Sequence, residues 1–93
     1  MKTLDELFAD KEVKRVWFYI RREEQAEFLR FAKDNGCRWI DGTEIDLEGG
    51  ACNFMGINRE RKTGQISVVA WMCCTDPTSI GVRKMDFSEI NEK

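Results

Sequence analysis

Carboxylates are concentrated in the stretch WIDGTEIDLEGGA, residues 39–51, where no basic residue interrupts them. Such a density of carboxylate oxygens suits two kinds of chemistry. It can bind a hard cation such as Ca²⁺, or it can pair with the arginines and lysines of a basic partner. We call residues 41–48 the acidic segment, and its carboxylates are those of Asp41, Glu44, Asp46 and Glu48.

The acidic segment does not have the pattern of a calcium loop. An EF-hand loop needs a glycine at its sixth position and a bidentate glutamate at its twelfth. Counted from Asp41, these positions hold Asp46 and Cys52, and the fifth holds Ile45, which has no side-chain oxygen. Ile45 and Leu47 alternate with the acids, which predicts a short edge strand or an ordered connector that directs its charges outward. We therefore predict no metal site here.

Catalytic and metal-binding side chains are scarce in this chain. There is no histidine, so the commonest general base and the commonest metal ligand are both missing. The cysteines form no CxxC pair, and we expect them to be buried free thiols rather than zinc ligands. These are Cys37, Cys52, Cys73 and Cys74. An enzyme that uses carboxylates alone is the weakest alternative, so we expect neither an enzyme nor a cofactor.

Basic residues are also grouped. Arg59, Arg61 and Lys62 lie in NRERKTG, which we interpret as a hairpin tip that is either a solvated loop or a basic finger able to contact phosphate or an acidic partner. With a net charge of −2 and separate charged blocks, the chain favours oriented docking on a charged protein. It does not favour non-specific nucleic-acid binding, which normally needs a basic face.

An aromatic face offers a different kind of site. Residues 13–20 read as a strand, with Val16, Phe18 and Ile20 toward the core. Its other face carries an aromatic and arginine set that can stack on a base and pair with phosphate. This alternative ligand site consists of Arg15, Trp17 and Tyr19.

The remaining patterns predict the elements that position these groups. Thr3 and Glu6 form a capping box for a short helix through about Asp10. Residues 22–36 predict the main helix, with apolar residues at helical spacing and Gly36 as its left-handed cap. CRWI, after that helix, predicts a short strand.

The second half of the chain reads as strands. We predict strands over residues 51–58 and 65–74, joined by RERKTG with a positive φ at Gly64, then a strand over 82–87 and a solvated tail. The fold class is therefore α+β. We expect a single domain over residues 1–93, a two-layer sandwich with a short N-terminal helix followed by β-α-β-β-β(-β), and one main helix on a mostly antiparallel sheet.

The expected location of the protein in the cell follows from its hydropathy and from its first residues. No apolar run reaches the roughly 18 residues of a membrane span, and the first residues do not have the pattern of a signal peptide. We expect a cytoplasmic protein that makes no membrane contact.

The stretch VWFYIRREEQAEFLRFAKDNGCRW, within residues 13–40, resembles small accessory proteins of phages and other mobile elements, including anti-CRISPR proteins. The resemblance implies a compact protein without catalytic equipment that occupies a surface of something larger. Several such inhibitors present carboxylates where a nuclease expects DNA phosphates.

Two functional hypotheses result. In the first, the chain is a non-enzymatic binding protein, an inhibitor of a host defence nuclease. Its acidic segment occupies a basic nucleic-acid-binding surface, and the basic hairpin tip makes a second contact. The alternative is a nucleotide-binding or small-molecule-binding domain that uses the aromatic and arginine face as an oligomer. The expected partner is a larger protein with a basic surface, and self-association as a homodimer stays open.

Overall fold

A computed structural model describes residues 3–91, which form one five-stranded sheet with helices on both faces. The helices are α1 (Leu4–Leu7), α2 (Gln25–Asp34) and α3 (Val68–Cys73). The strands are β1 (Arg15–Tyr19), β2 (Arg38–Trp39), β3 (Phe54–Asn58), β4 (Lys62–Gln65) and β5 (Val82–Asp86). Short 3₁₀ segments cover Arg22–Glu24, Pro77–Ile80 and Phe87–Asn91. Within residues 3–91, no helix has the length and apolarity needed to cross a membrane.

The strand order is β2-β4-β3-β1-β5, with β1 beside the centre of the sheet. β1 pairs antiparallel with β3 and parallel with β5, while β4 pairs antiparallel with β3 and parallel with β2. The predicted α+β class is confirmed, but the sheet is mixed rather than mostly antiparallel. Strands joined by long crossovers tend to be parallel, and here a helical crossover returns the chain to the starting end of β1 before β5 begins.

The core lies between the sheet and α2, and phenylalanine rings dominate it. Phe18 of β1 meets Phe28 and Phe31 of α2 and Phe87 after β5, with centroid distances of 5.7, 6.0 and 5.9 Å. These are edge-to-face contacts, each worth about 0.5–1.5 kcal/mol beyond burial. Val16, Phe18 and Ile20 are fully buried, which confirms the predicted core face of β1.

The predicted helix ends are also present. The Thr3 hydroxyl accepts a hydrogen bond from the Glu6 amide at 3.2 Å, although α1 ends at Leu7. Gly36 has a φ of +75°, as expected of a residue that terminates a helix. Asn35 ties the two helices together, since its side chain accepts from the Leu4 amide at 3.2 Å and donates to the Phe31 carbonyl at 2.8 Å.

The strand predicted over residues 65–74 is wrong, because most of this stretch forms α3. Ser67 caps the helix, with its hydroxyl accepting from the Ala70 amide at 3.0 Å. Ile66 still bonds to Phe54, so the sheet pairing stops where α3 begins. The strand propensity of Val68 and Val69 is overridden here, and the helix places the Trp71 ring against Trp17 and Phe54 of the sheet.

The turn between β3 and β4 is tighter than the sequence suggests. The positive φ falls on Arg61, at 65°, and not on Gly64. Gly64 lies within β4, opposite Gly56. A Cβ at Gly64 would lie 2.8 Å from the Cδ1 of Ile40, so the absence of a side chain at Gly64 lets Ile40 pack over the strand.

The edge strand predicted for the acidic segment is not formed. Its only ladder contact among the described residues is an isolated bridge between Arg38 and Glu44. Ile45 is buried but Leu47 is 39% exposed, so the two do not share a face. The chain turns at Asp46, whose carbonyl accepts from the Gly49 amide at 3.0 Å, and this turn breaks the strand alternation.

The prediction of a solvated tail after β5 is wrong for the residues up to 91. Residues 92–93 lie outside the described part of the chain. The Glu89 carboxylate accepts from the Asp86 amide, and the Asp86 carboxylate accepts from the Ser88 amide, both at 2.9 Å. These bonds turn the chain after β5 and return Ile90 to the core.

Replacing Ile90 with alanine should remove about 2–4 kcal/mol from the free energy of unfolding, because Ile90 is 1% exposed and its loss leaves a cavity. Ile80→Ala is the matched control, since Ile80 is 54% exposed. It should change the free energy by less than about 0.5 kcal/mol. Urea unfolding measures both, and equal effects would contradict the placement of Ile90.

Candidate functional site

The acidic segment lies in the connection between β2 and β3, at one edge of the sheet. All of its carboxylate residues are exposed. A tight turn begins the connection: the Gly42 amide donates to the Trp39 carbonyl at 2.8 Å and the Trp39 amide donates to the Thr43 carbonyl at 2.9 Å. Gly42 has a φ of +90°, which explains a glycine at this position.

Two of the acids organise the backbone around themselves. Asp41 accepts from the Thr43 hydroxyl at 2.6 Å and from the Thr43 amide at 3.0 Å. The hydroxyl bond is the main reason that the pKa of Asp41 is below its ordinary value. Asp46 accepts from the Glu48 amide at 2.9 Å. Because these Asx turns are local, the acidic segment is ordered without a partner strand.

The segment is also attached to the rest of the protein. Ile45 enters the core, between the exposed acids on either side of it. Arg38 of β2 bridges to Glu44 through the backbone and donates from its guanidinium to the Gly42 carbonyl at 3.2 Å. The carboxylates are therefore displayed from a loop that is anchored at its start and at its middle.

A groove of mixed polar and apolar lining adjoins the acidic segment. It has a volume of about 350 Å³ and is lined in part by Trp39, Asp41, Gly50 and Gly64. Ile40, which lies on its rim, is 68% exposed. A carboxylate beside an exposed aliphatic side chain and a groove is an arrangement typical of protein-binding surfaces.

The arginines of the basic hairpin mainly make contacts within the protein itself. The guanidinium groups of Arg59 and Arg61 both lie over the Phe8 ring, each 5.4 Å from its centroid. Arg59 donates to the Asp10 carbonyl at 2.6 Å, and Arg61 pairs with Asp5. These contacts hold α1 and the loop after it against the hairpin.

Lys62 is the predicted hairpin residue that lies closest to the acidic segment in the sheet. It is exposed, and it pairs with Arg38 across β2 and β4. Arg38 in turn bridges to Glu44. The structure thus brings Lys62 to the same sheet edge as the acids, while the two arginines face α1.

The aromatic face is covered by the protein itself. Trp71 of α3 stacks on Trp17 at 6.5 Å and contacts Phe54 at 4.9 Å. Tyr19 contacts Phe54 at 5.3 Å, and the guanidinium of Arg21 lies over the Tyr19 ring. The position that the alternative hypothesis assigns to a base is therefore occupied by Trp71. Arg15, on the same face, stays exposed.

Lys84 is a structural residue that the sequence analysis missed. Its ammonium donates to the carbonyls of Trp71 and Cys74, the second at 2.7 Å, and lies 5.0 Å from the Trp71 ring centroid. It thereby satisfies the C-terminal end of α3, where a cation is favourable. Ser67 is a good helix N-cap and could have indicated α3.

The cysteines differ in exposure. Cys37 is buried, as expected, and burial raises the pKa of its thiol. Cys52 and Cys74 are only half-buried and Cys73 is exposed, so the expectation of buried thiols is wrong for them. Among residues 3–91, no three Cys, Asp or Glu side chains converge in a way that could hold a metal ion.

Compared with protein-family models, curated proteins and solved structures, the chain has no match.

Replacing Lys84 with methionine should lower the free energy of unfolding by about 1–3 kcal/mol, because two carbonyls at the end of α3 lose a charged donor. Lys33→Met, on the exposed side of α2, is the control and should have little effect. Urea unfolding gives the stability. The near-ultraviolet circular dichroism of the Trp17–Trp71 pair should change only in the Lys84 variant, and an unchanged spectrum would contradict the contact.

Replacing Asp86 with asparagine should make the free energy of unfolding fall less steeply as the pH is lowered. The hydrogen bond from Arg21, 2.7 Å long, holds the pKa of Asp86 at about 2, below its value of about 3.9 in an unfolded chain. The ionised form therefore stabilises the fold above about pH 4, and this contribution disappears as the pH falls through about 2. Urea unfolding at several pH values in that window gives the free energy of unfolding. It should fall less steeply with decreasing pH for Asp86→Asn than for Asp34→Asn, and an equal dependence on pH would contradict the interaction.

Proposed function

We propose that this protein is a non-enzymatic binding protein that inhibits a host defence nuclease by placing its acidic segment on a basic nucleic-acid-binding surface. The observation that carries the proposal is the array of exposed carboxylates on a loop ordered by its own Asx turns. An array of this kind offers negative oxygens to arginine and lysine side chains, as a phosphate backbone does.

Order in the free protein favours this mode of binding. A flexible acidic loop would lose conformational entropy when it docked, and that loss would oppose association. Here the turns at Asp41 and Asp46 and the buried Ile45 restrict the loop before any partner arrives. The charges then speed the encounter and select a basic partner.

Apolar contacts next to the charges give the surface an anchor. Ile40 and Leu47 are exposed on the loop, and the groove beside Asp41 is open. Interfaces generally combine a small apolar centre with a charged rim. We therefore place the centre of the contact at Ile40, with the acids around it and Lys62 at its margin.

The nucleotide-binding alternative has less support. Trp17 is half-buried against Trp71 of α3, Tyr19 is half-buried against Phe54, and what remains near Arg15 is a groove of about 130 Å³. That volume is below the usual range of about 300–1,000 Å³ for small-molecule sites. A base would have to displace Trp71 before it could stack on Trp17.

The test is inhibition of DNA cleavage by a panel of purified defence nucleases, CRISPR effectors among them. The decisive variant combines Asp41→Asn, Glu44→Gln, Asp46→Asn and Glu48→Gln. Asparagine keeps the oxygen that accepts in each Asx turn, so charge is removed with little change of loop geometry. Inhibition by the wild-type protein should weaken at high salt, and the variant should be at least about tenfold less potent, a loss of about 1.4 kcal/mol.

The matched control removes the same number of charges from exposed acids elsewhere and should inhibit within about twofold of wild type. It combines Glu6→Gln, Glu23→Gln, Asp34→Asn and Glu60→Gln. Equal potency of the two variants would overturn the role of the acidic segment. Failure of the wild-type protein to inhibit or bind any nuclease of the panel would overturn the proposed inhibition.

A further inference from the structure

The groove near Arg15, on the face of the sheet that carries Trp17, contains cations but no acids. Its volume is about 130 Å³, and its lining includes Arg15 and Lys62 but no aspartate or glutamate. Both cations are exposed, and neither forms an ion pair with a carboxylate of residues 3–91. In a chain with a net charge of −2, this groove is therefore a local positive site that an anionic ligand can neutralise.

The strand register brings the polar groups of this groove together. β4, β3 and β1 are consecutive in the sheet. Arg15 of β1 pairs directly with Asn58 of β3, and the Lys62 amide of β4 donates to the Asn58 side-chain oxygen at 2.9 Å. Because neighbouring strands are about 4.8 Å apart, the main chains at Arg15 and Lys62 are separated by about 10 Å, with Asn58 between them. The two long side chains can therefore meet over Asn58.

The groups that remain free in this row are hydrogen-bond donors. The Asn58 side-chain oxygen is occupied by the Lys62 amide, which orients the carboxamide and leaves its two N–H groups for a ligand. Arg15 adds a planar guanidinium, and Lys62 adds a compact ammonium. Three donors of different geometry suit an anion with several oxygens better than they suit a single-atom anion.

The walls of the groove limit the size of that anion. Gly56 and Gly64 lie opposite each other on β3 and β4, and both line the groove. A Cβ at Gly56 would lie 2.9 Å from the Cδ1 of Ile66 and 3.0 Å from the Cδ1 of Trp17, so these apolar side chains pack closely over the glycine. The remaining space is too small for a nucleotide. It is several times the roughly 30 Å³ of one water molecule, which is enough for one phosphate group.

We propose that this groove binds a phosphate group between Arg15 and Lys62, with the Asn58 amide donating to a third oxygen. The phosphate is either free or the phosphomonoester of a small molecule whose remainder stays outside the groove. Charge-assisted hydrogen bonds from the two cations supply most of the affinity. The site is separate from the acidic segment and does not depend on nuclease inhibition.

A polynucleotide is a less suitable ligand. Arg38 of β2 pairs with Lys62 and would extend the row of cations by one strand. Glu44 is bridged to Arg38 from the other side, and the rest of the acidic segment follows. In the opposite direction the row ends at Val82, which is buried and apolar. A chain of phosphates laid across the sheet would therefore meet repulsion at one end and no donor at the other.

The test is a titration of the full chain with inorganic phosphate at constant ionic strength, followed by backbone amide NMR. The amides of Arg15, Asn58, Lys62 and Gly64 should shift and saturate, with a dissociation constant below about 5 mM. Acetate, which offers two oxygens and one charge, should bind at least about fivefold more weakly. Phenyl phosphate distinguishes the two sources, since a site for phosphomonoesters should bind it at least as tightly as phosphate and a site for the free ion should bind it less tightly.

Charge-removing variants locate the ligand. Arg15→Gln and Lys62→Gln should each weaken phosphate binding at least about threefold, because each removes one charge-assisted contact. The matched control combines Arg30→Gln and Lys33→Gln, two exposed cations of α2. It should bind phosphate within about 1.5-fold of the wild-type protein, since exposed charges at a distance are screened by salt.

The phosphate site would be overturned by shifts that do not saturate, by equal responses to phosphate and acetate, or by equal weakening in the control and the groove variants. Tighter binding of hexathymidylate without a terminal phosphate, with shifts that extend to Arg38, would also overturn it, in favour of nucleic acid. None of these measurements involves a nuclease or the acidic segment, so their failure and the failure of the inhibition hypothesis are distinguishable.

Discussion

β1 must bury side chains on both of its faces, and the rest of the molecule depends on how it does so. Phe18 points into the phenylalanine cluster under α2, while its neighbour Trp17 points to the opposite face of the sheet. If the second face were open to water, the large apolar ring of Trp17 would lose the free energy of its burial. Two layers of helix are therefore needed, and α2 and α3 provide them.

Coverage of the second face explains why α3 is a helix. Trp71 packs on Trp17 and Phe54, which gives the sheet an aromatic contact that continued strand pairing would not place there. The main-chain groups at the two ends of α3 are hydrogen-bonded by residues from different parts of the chain. Ser67 accepts from an amide at the start of the helix, and Lys84 of β5 donates to a carbonyl at its end. As a result, the aromatic face contributes mainly to the fold, and the surface that we propose to inhibit a nuclease is the acidic segment at one edge of the sheet.

The two edges have different chemistry, and the folded chain keeps them apart. At the β2 edge, the acidic segment offers side-chain charge from a loop that Ile45 anchors. At the β5 edge, Val82 is buried and the Asp86 amide donates to the Glu89 carboxylate.

Local patterns predicted a large share of this fold. The alternation in β1, the apolar stripe of α2 and the caps at Thr3 and Gly36 are each recognisable within a few residues. The exposed state of the acids was predictable too, since isolated charge is costly to bury. The strand order was not, because it depends on which distant segments pair. The packing of Arg59 and Arg61 on Phe8 was missed for the same reason.

By itself, the sequence determined the α+β class, the core face of β1, the main helix and the charge of the candidate surface. These follow from side-chain polarity and its period, which are local properties. Only the tertiary structure decided that residues 68–73 are helical, that Ile90 belongs to the core and that Trp71 closes the aromatic face. Each of these outcomes depends on contacts between residues far apart in the chain, and the free energy of such contacts outweighs the local preference of a short segment.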